Sequence, residues 1–262
     1  MNRKLILIFS VVTFLLFNGV DYSQTTTGQI AQAQKQTITL PNIGINIGSG
    51  NEKDNVSTTL ELLLLLTVLS LAPSIIIMTT SYLRIIIVFH FLKNALGTMQ
   101  SPPNQLLAGI ALFITFFIMA PTWNQVYDDA VQPYMDGKIS IDSAYYKGIE
   151  PVRNFMFRNV RNEDLKLFLG MAKMEKPASR KDLPTYILVP AFILGELRAG
   201  FVIGFFLFVP FVMMDMIVSS ILMSMGMMML PPTLISMPFK ILLFILVDGW
   251  DLIISSLVRS FQ

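Results

Sequence analysis

The amino-acid sequence predicts an all-α membrane protein, in which two hydrophobic helical hairpins flank a helical extracytoplasmic insert. Of its 262 residues, 53% are hydrophobic and only 14% are charged, whereas about 25% of residues are charged in ordinary soluble domains. The apolar residues also fall in blocks, several of which approach or exceed the roughly 20 residues that a membrane-spanning helix needs. A soluble chain of this composition would expose much apolar surface to water. The composition therefore favours a lipid environment.

Charge and cysteine content exclude several classes of function. The net charge is only +2, and no dense Lys/Arg cluster indicates a nucleic-acid partner. The chain has no cysteine, which excludes disulfide scaffolds, thiolate metal sites and cysteine nucleophiles. His90 is the single histidine and lies in an apolar run without neighbouring carboxylates, so we expect no metal site. We therefore expect neither enzymatic activity nor a bound cofactor.

The first 57 residues are predicted to be a signal peptide followed by a tether. Residues 2–4 carry positive charge and residues 5–17 form an apolar run that is short for a span, as in secretory signals. We assign residues 1–23 to a signal peptide; an uncleaved anchor helix is the alternative. Residues 24–57 are rich in Thr, Gln, Asn and Gly and are assigned to a flexible extracytoplasmic tether, because such residues bury no core.

The first hydrophobic hairpin is assigned to residues 58–122. Its first apolar block covers residues 60–92 and contains Pro73, and its second covers residues 106–120 and is closed by Pro121. Proline removes a backbone donor and often ends a helix. We therefore expect two helical arms with breaks near these prolines.

The second hydrophobic hairpin is assigned to residues 186–230. Its two apolar blocks, 186–209 and 211–230, are separated by Pro210, where we place the turn. A weaker apolar block within residues 231–262 predicts a C-terminal hydrophobic helix. Blocks of this length give helices of about 30–35 Å, enough to cross a bilayer.

The polar segment between the hairpins, residues 123–185, is predicted to be a helical insert. Ser140 begins a helix-start pattern, Pro151 suits a first helical turn, and residues 162–164 resemble a helix N-terminus. Apolar residues recur at helical spacing after both of the last two positions. We expect two amphipathic helices that pack against each other or against a neighbouring copy.

Charge asymmetry predicts the orientation. Arg84 and Lys93 lie near the loop of the first hairpin, and no acidic residue occurs between residues 62 and 127. An excess of Lys and Arg in short loops marks the cytoplasmic side. The tether and the insert are therefore expected outside the cytoplasm, in agreement with the signal peptide.

Three ionisable residues lie inside the second hairpin: Glu196, Arg198 and Asp215. Ionisable groups at such positions are costly and usually have partners. Glu196 and Arg198 are two apart and do not face each other on a helix, so each is expected to pair with another helix or another copy; location at a membrane boundary is the alternative. A turn at Pro210 would place Asp215 opposite an apolar residue, so its partner lies elsewhere, and Lys240 is one candidate. A structural polar contact between subunits is favoured over a proton relay.

Methionine is concentrated in one segment. Nine of the 17 methionines lie between residues 213 and 237, and the densest group is Met225, Gly226, Met227, Met228 and Met229. Flexible, polarizable thioether chains can fill an irregular gap and re-pack around varied partners. Gly226 and the two prolines at 231 and 232 predict a broken helix or loop. A lipid-facing helix that happens to use methionine is the alternative.

Two segments resemble the signature segments of the FliP family, which is shared with the equivalent subunit of virulence type III secretion systems. Residues 190–204 read Pro-Ala-Phe-Ile-Leu-Gly-Glu-Leu-Arg-Ala-Gly-Phe-Val-Ile-Gly, and residues 210–229 read Pro-Phe-Val-Met-Met-Asp-Met-Ile-Val-Ser-Ser-Ile-Leu-Met-Ser-Met-Gly-Met-Met-Met. The resemblance covers most of residues 58–255. One departure is Gly195, where the family usually has Ser or Thr, so no hydroxyl role is expected there.

The resemblance implies a transport role without catalysis. FliP-like proteins form a ring with FliQ and FliR, and the complex is the conduit through which unfolded flagellar subunits leave the cytoplasm. It implies a multi-pass protein of the bacterial inner membrane in the flagellar basal body, with helices lifted out of the expected membrane plane. The implied partners are FliQ- and FliR-type subunits, other copies of the chain, export-apparatus proteins and exported flagellar polypeptides. In the family the methionine segment is the gasket that closes the pore. A stand-alone polytopic channel or solute carrier is the alternative.

Overall fold

The computed structural model describes residues 52–98, 101–175, 177, 179, 182–227 and 229–261. The predicted signal peptide and most of the tether lie outside these residues. The regular elements are helices: α1 Glu52–Thr79, α2 Tyr82–Leu96, α3 Asn104–Val126, a π-helical segment Tyr127–Val131, α4 Gln132–Met135, α5 Ile141–Asn159, α6 Asn162–Met171, α7 Thr185–Ser224, α8 Pro232–Leu246 and α9 Gly249–Arg259. The all-α prediction is confirmed.

Within the described part of the chain, three helices are long and apolar enough to cross a membrane. They are Leu62–Thr79, the rod Asn104–Met135 formed by α3, the π segment and α4, and the whole of α7. The pair α8 and α9, bent by 62° at Asp248, would make a fourth if it counts as one broken span. The prediction of a membrane protein is therefore confirmed.

The chain divides into two compact units, Met1–Pro73 and Ser74–Gln262. In the first unit the described residues belong to α1, and the side chains from Leu62 to Leu71 are exposed and almost all apolar. A helix with apolar side chains on every face is typical of a membrane span. All packing described below lies within the second unit.

The second hairpin turns at a different place from the one predicted. α7 runs through Pro210 without a break, and the chain reverses after its end, because Phe211 lies against Phe244 and Asp215 against Lys240 in α8. The predicted turn at Pro210 is wrong. A proline inside a helix costs about 3 kcal/mol or more through one lost hydrogen bond and a clash, whereas a turn there would leave several backbone groups without partners in an apolar environment.

Other prolines also lie inside helices. Pro73 is in α1, which continues to Thr79, and Pro121 is in α3, which continues to Val126, so Pro73 does not interrupt its helix and Pro121 does not close the second block as predicted. α5 begins after Ser140, whose hydroxyl accepts a hydrogen bond from the Ser143 amide at 3.4 Å. The predicted helix start at Ser140 is confirmed, whereas Pro151 lies in the middle of α5 and not in its first turn.

The core of the second unit is built on α2 and α7, which pack in parallel. Ile87 lies over Gly200 and, one turn further on both helices, Phe91 lies over Gly204. A Cβ atom on Gly204 would be 2.5 Å from the Phe91 ring, and one on Gly200 would be 3.0 Å from Ile87 Cγ2. Glycines four residues apart let the two helix backbones approach closely. This contact sets the register between α2 and α7.

The insert packs against the membrane-region helices of its own chain. Phe155 of α5 and Leu169 of α6 belong to one apolar cluster with Met119 of α3 and Phe192 of α7, and the Phe155 and Phe192 rings are 5.9 Å apart. Because these neighbours come from α3 and α7, part of the insert's apolar face is buried within its own chain. This position brings α6 beside the polar residues of α7.

Candidate functional site

Glu196 pairs with Arg84 at the start of α2. Glu196 is 0% exposed, and its two carboxylate oxygens accept hydrogen bonds from Nε and Nη2 of Arg84 at 2.9 and 2.5 Å. Two parallel N–H···O bonds are the strongest arrangement for this pair of groups. From the sequence, Arg84 was expected near a cytoplasmic loop and its pairing with Glu196 was not predicted. Its position inside an apolar block was the signal that could have revealed the pair.

The chain's last described residues complete the surroundings of Arg84. Its Nη1 atom donates to the Ser260 carbonyl and hydroxyl oxygens, both at 2.9 Å, and the guanidinium carbon lies 3.8 Å from the centre of the Phe261 ring. Phe261 also stacks on Phe155 of the insert. A buried ion pair is stable only where further hydrogen bonds satisfy the donors that the pair itself leaves free, and Ser260 accepts from those on Nη1 of Arg84.

Asp215 pairs with Lys240 of α8, the candidate partner named from the sequence. Lys240 is buried, and its Nζ atom donates to Asp215 Oδ2 at 2.6 Å and to the Ala95 carbonyl oxygen at 3.2 Å. The Ser236 hydroxyl donates to the other oxygen, Oδ1. Because Ala95 is in the last turn of α2, the lysine also lies at the negative end of that helix dipole. The cluster joins α2, α7 and α8.

Arg198 pairs with Asp164 of α6. Its Nη2 atom lies 3.0 Å from Asp164 Oδ1, and the exposed fractions of the two side chains are 42% and 1%. The other carboxylate oxygen, Oδ2, is shielded from solvent and has no hydrogen-bond partner among the residues that the structure describes. This ion pair fastens the insert to α7.

The structure does not bring Glu196, Arg198 and Asp215 together into one site. Each pairs with a different element, and all three partners lie in the same chain. Each ion pair therefore stabilises a different helix–helix contact. In the part of the chain that the structure covers, no three His, Asp or Glu side chains are grouped to hold a metal ion.

The methionine segment forms the turn between α7 and α8. Gly226 has a left-handed backbone with φ of 76°, and its amide and that of Met227 donate to the Met223 and Leu222 carbonyl oxygens at 3.0 and 2.9 Å. Glycine after a helix end adopts this conformation without steric cost. As the sequence predicts, Gly226 breaks the helix inside the methionine run.

The side chains of this turn point away from the chain's own core. Met225 is 67% exposed and Met229 is 98% exposed, and Met227 is also exposed; Met228 lies outside the described residues. Exposed apolar side chains continue along α7, including Phe205, Phe206 and Met216. An apolar surface of this extent is a site for lipid or for other protein chains.

The hairpin formed by α7 and α8 lies within the part of the sequence that matches a known protein family. The model described as "FliP family" matches residues 65–257, a range that includes the three ion pairs and the methionine turn. The chain belongs to the FliP family. The resemblance drawn from the sequence is thus confirmed.

Known FliP proteins match most of the chain. "Flagellar biosynthetic protein FliP" of Bacillus subtilis (strain 168) is 56% identical over 217 residues, covering 83% of this chain and 98% of that protein. The proteins of the same name from Borreliella burgdorferi and Treponema pallidum (strain Nichols) are 42% identical over 258 residues, covering 97% of each chain, and 47% identical over 231 residues, covering 87% and 85%. Membership of the FliP family makes the chain a flagellar biosynthetic protein, a membrane component of the flagellar export apparatus.

Proposed function

We propose that the chain is a membrane subunit of the flagellar type III protein-export gate. With FliQ- and FliR-type subunits and further copies of itself, it forms the conduit through which unfolded flagellar subunits leave the cytoplasm. It is a multi-pass protein of the bacterial inner membrane, located in the flagellar basal body. It has no catalytic role, and export is energised by other proteins of the apparatus.

The observation that carries this proposal is the exposed methionine turn on a hairpin whose helices are joined to the rest of the chain by ion pairs. Met225, Met227 and Met229 are exposed in the single chain. Copies arranged around an axis would bring these side chains together. Methionine has rotatable torsions and no strongly polar group, so a ring of such side chains closes a dry constriction and still yields to a passing polypeptide.

The ion pairs also support this proposal, because they leave an apolar surface for neighbouring subunits. Glu196 and Asp215 are fully hydrogen-bonded within the chain, so neither needs a partner subunit to neutralise it. The surface left for neighbouring subunits is the apolar face of α7, with Phe205 and Phe206 exposed. Subunits of this kind assemble through apolar contacts while their own helices stay fixed.

The composition of the purified complex tests the proposal. The tagged chain, co-expressed with FliQ- and FliR-type subunits from the same organism, is purified in mild detergent, and the mass of the intact complex is measured. We expect several copies of this chain together with both partners. A mass that corresponds to this chain alone, as a stand-alone channel or carrier would give, would overturn the proposal. Omitting the FliR-type subunit provides the control, because the mass must then change.

Secretion provides the functional readout. A strain that lacks the gene for this chain should not release flagellar subunits into the medium, and the intact gene should restore release. Loss of flagellar-subunit release without a change in membrane permeability to small solutes distinguishes an export conduit from a solute carrier.

A further inference from the structure

We propose that Asp164 and Arg198 form a separable clasp, which lets helix α6 of the insert open from α7 while the rest of the fold stays closed. The ion pair between the two residues has one close contact, of 3.0 Å between Asp164 Oδ1 and Arg198 Nη2. Three features of this contact set it apart from the other ion pairs of α7 in the described part of the chain.

The first feature is an unsatisfied carboxylate oxygen. Asp164 Oδ2 is buried and accepts no hydrogen bond from any described residue. A buried acceptor of this kind is destabilised relative to water, where it would be hydrated. In contrast, both carboxylate oxygens of Glu196 and both of Asp215 have donors. Opening therefore relieves a cost at Asp164, whereas it would create one at the other two carboxylates.

The second feature is the exposure of Arg198. Its side chain is 42% exposed, whereas the side chain of Arg84 in the neighbouring pair is buried. When the clasp opens, the Arg198 guanidinium is hydrated, and little further side-chain surface has to be exposed because the side chain is already partly exposed. A pair with one hydrated partner opens more easily than a pair in which both partners are buried.

The third feature is Gly195, which leaves space where a donor would fit. A Cβ atom on Gly195 would lie 3.4 Å from Asp164 Oδ2, an ordinary contact distance, with no other atom within 4 Å. A serine hydroxyl lies one C–O bond beyond this Cβ atom, so a side-chain rotamer that points toward Asp164 brings it within hydrogen-bond distance of Oδ2. Gly195 therefore keeps the acceptor open and the clasp weak.

The packing around α6 is consistent with local opening. α6 has only ten residues, and beside it lies a cleft of about 780 Å³, whose lining includes Leu165 and Leu169 of α6 and Leu183 of the following segment. Opening of α6 breaks the apolar contacts of Leu165 and Leu169 with the cluster that contains Phe192, and it leaves the ion pairs of Glu196 and Asp215 in place. The contacts that hold α2, α7 and α8 together involve none of these residues.

Amide hydrogen exchange of the full chain in detergent, with the subunits that co-purify, tests the clasp. In the unsubstituted chain, the amides of α6 should exchange at least about tenfold faster than those of α2. Gly195→Ser should slow exchange in α6 by about tenfold relative to Gly195→Ala, which has the same Cβ atom and no hydroxyl. Arg198→Met should accelerate exchange in α6 and leave α2 unchanged.

An Asp164→Ala background provides the matched control. There the acceptor is absent, so Gly195→Ser and Gly195→Ala should give the same exchange in α6. Equal exchange of the two Gly195 variants in the presence of Asp164 would overturn the proposal, and so would exchange in α6 as slow as in α2. Because the readout is exchange and not export, failure of the clasp and failure of the proposed gate function are distinguishable.

Discussion

Arg84 and Glu196 form a two-point ion pair between α2 and α7, across 112 residues of sequence. The pair is buried, and Ser260 satisfies the remaining donors on Nη1 of Arg84. Its geometry explains how one acidic and one basic group persist inside apolar helices, and it fixes one end of the α2–α7 contact.

Replacing one partner should be more damaging than replacing both. Arg84→Met leaves Glu196 as a buried, unpaired carboxylate, and we expect a loss of stability of about 3–5 kcal/mol. The double variant Arg84→Met with Glu196→Leu should lose less than the sum of the two single variants. The measurement is denaturant or thermal unfolding of the purified chain in detergent. Additive losses would show that the two charges do not stabilise each other.

Gly204→Ala should disrupt the helix contact on which the core is built. The added Cβ would lie 2.5 Å from the Phe91 ring, so the helices must separate, and overpacking of this kind costs about 1–3 kcal/mol. Gly109→Ala is the matched control: it is also in a helix, nothing lies within 4 Å of its Cβ position, and alanine there should be neutral or stabilising by up to about 1 kcal/mol. The double variant Gly204→Ala with Phe91→Ala should lose less stability than the sum of the two single variants, because alanine lacks the Cγ and Cδ2 atoms that the new Cβ would meet.

Lys240→Met should destabilise the hairpin of α7 and α8, because Asp215 would keep only the Ser236 hydroxyl as a donor. Because the Asp215 side chain is 26% exposed and can be hydrated, the expected loss is about 1–3 kcal/mol, the range for removal of one hydrogen-bond partner. Lys138→Met in the insert is the control, since its pair with Asp136 is exposed and such pairs contribute about 0–1 kcal/mol. The free energy of unfolding of both variants is measured in the same detergent. Equal losses of stability would show that the ion pair between Lys240 and Asp215 does not stabilise the hairpin.

Shortening the methionine turn should open the resting conduit. Met225→Ala, Met227→Ala and Met229→Ala together remove flexible apolar volume at exposed positions, so the fold should be retained while small ions or solutes leak through the assembled gate. Leucine at the same three positions keeps most of the volume and should leak less. Conductance of liposomes carrying the assembled gate is the measurement. An alanine variant that assembles and exports without leaking would show that the turn is only an exposed apolar surface.

Single cysteines should report the orientation, since the chain has none of its own. A cysteine in place of Lys138 in the insert should react with an impermeant reagent from outside the inner membrane, and one in place of Asn94 near the end of α2 should be protected. Both positions are exposed in the single chain, so protection of Asn94 reports the membrane side and not burial. If only the cysteine at position 94 is labelled, the predicted orientation of the chain in the membrane is wrong.

Local chemistry made part of this fold predictable from sequence. The apolar composition required helices in lipid, because every backbone group in a bilayer must find its hydrogen bond within the chain. Ser140 marked the start of α5, and Gly226 with the prolines that follow it marked the turn before α8. Each of these features depends on residues within about one helical turn, so the sequence alone contains its cause.

The partners of the charged residues required more than local chemistry. Lys240 was a candidate for Asp215, but Arg84 and Asp164 were not assigned to Glu196 and Arg198. Which charges meet depends on the register between helices that are far apart in sequence. The contact of Phe91 with Gly204 sets that register between α2 and α7. The two residues lie far apart in the sequence, so no local sequence pattern predicts that they meet.

Composition and helix-end chemistry thus determined by themselves that the chain is an all-α membrane protein with a methionine turn, and its motifs indicated the FliP family. Tertiary structure alone decided that α7 continues through Pro210 and that its charges are paired within the chain. The reason is that a proline ends a helix only when the alternative conformation has a lower free energy. In α7 that comparison depends on packing, because α2 contacts Gly200 and Gly204 before Pro210, and α8 contacts Phe211 and Asp215 after it.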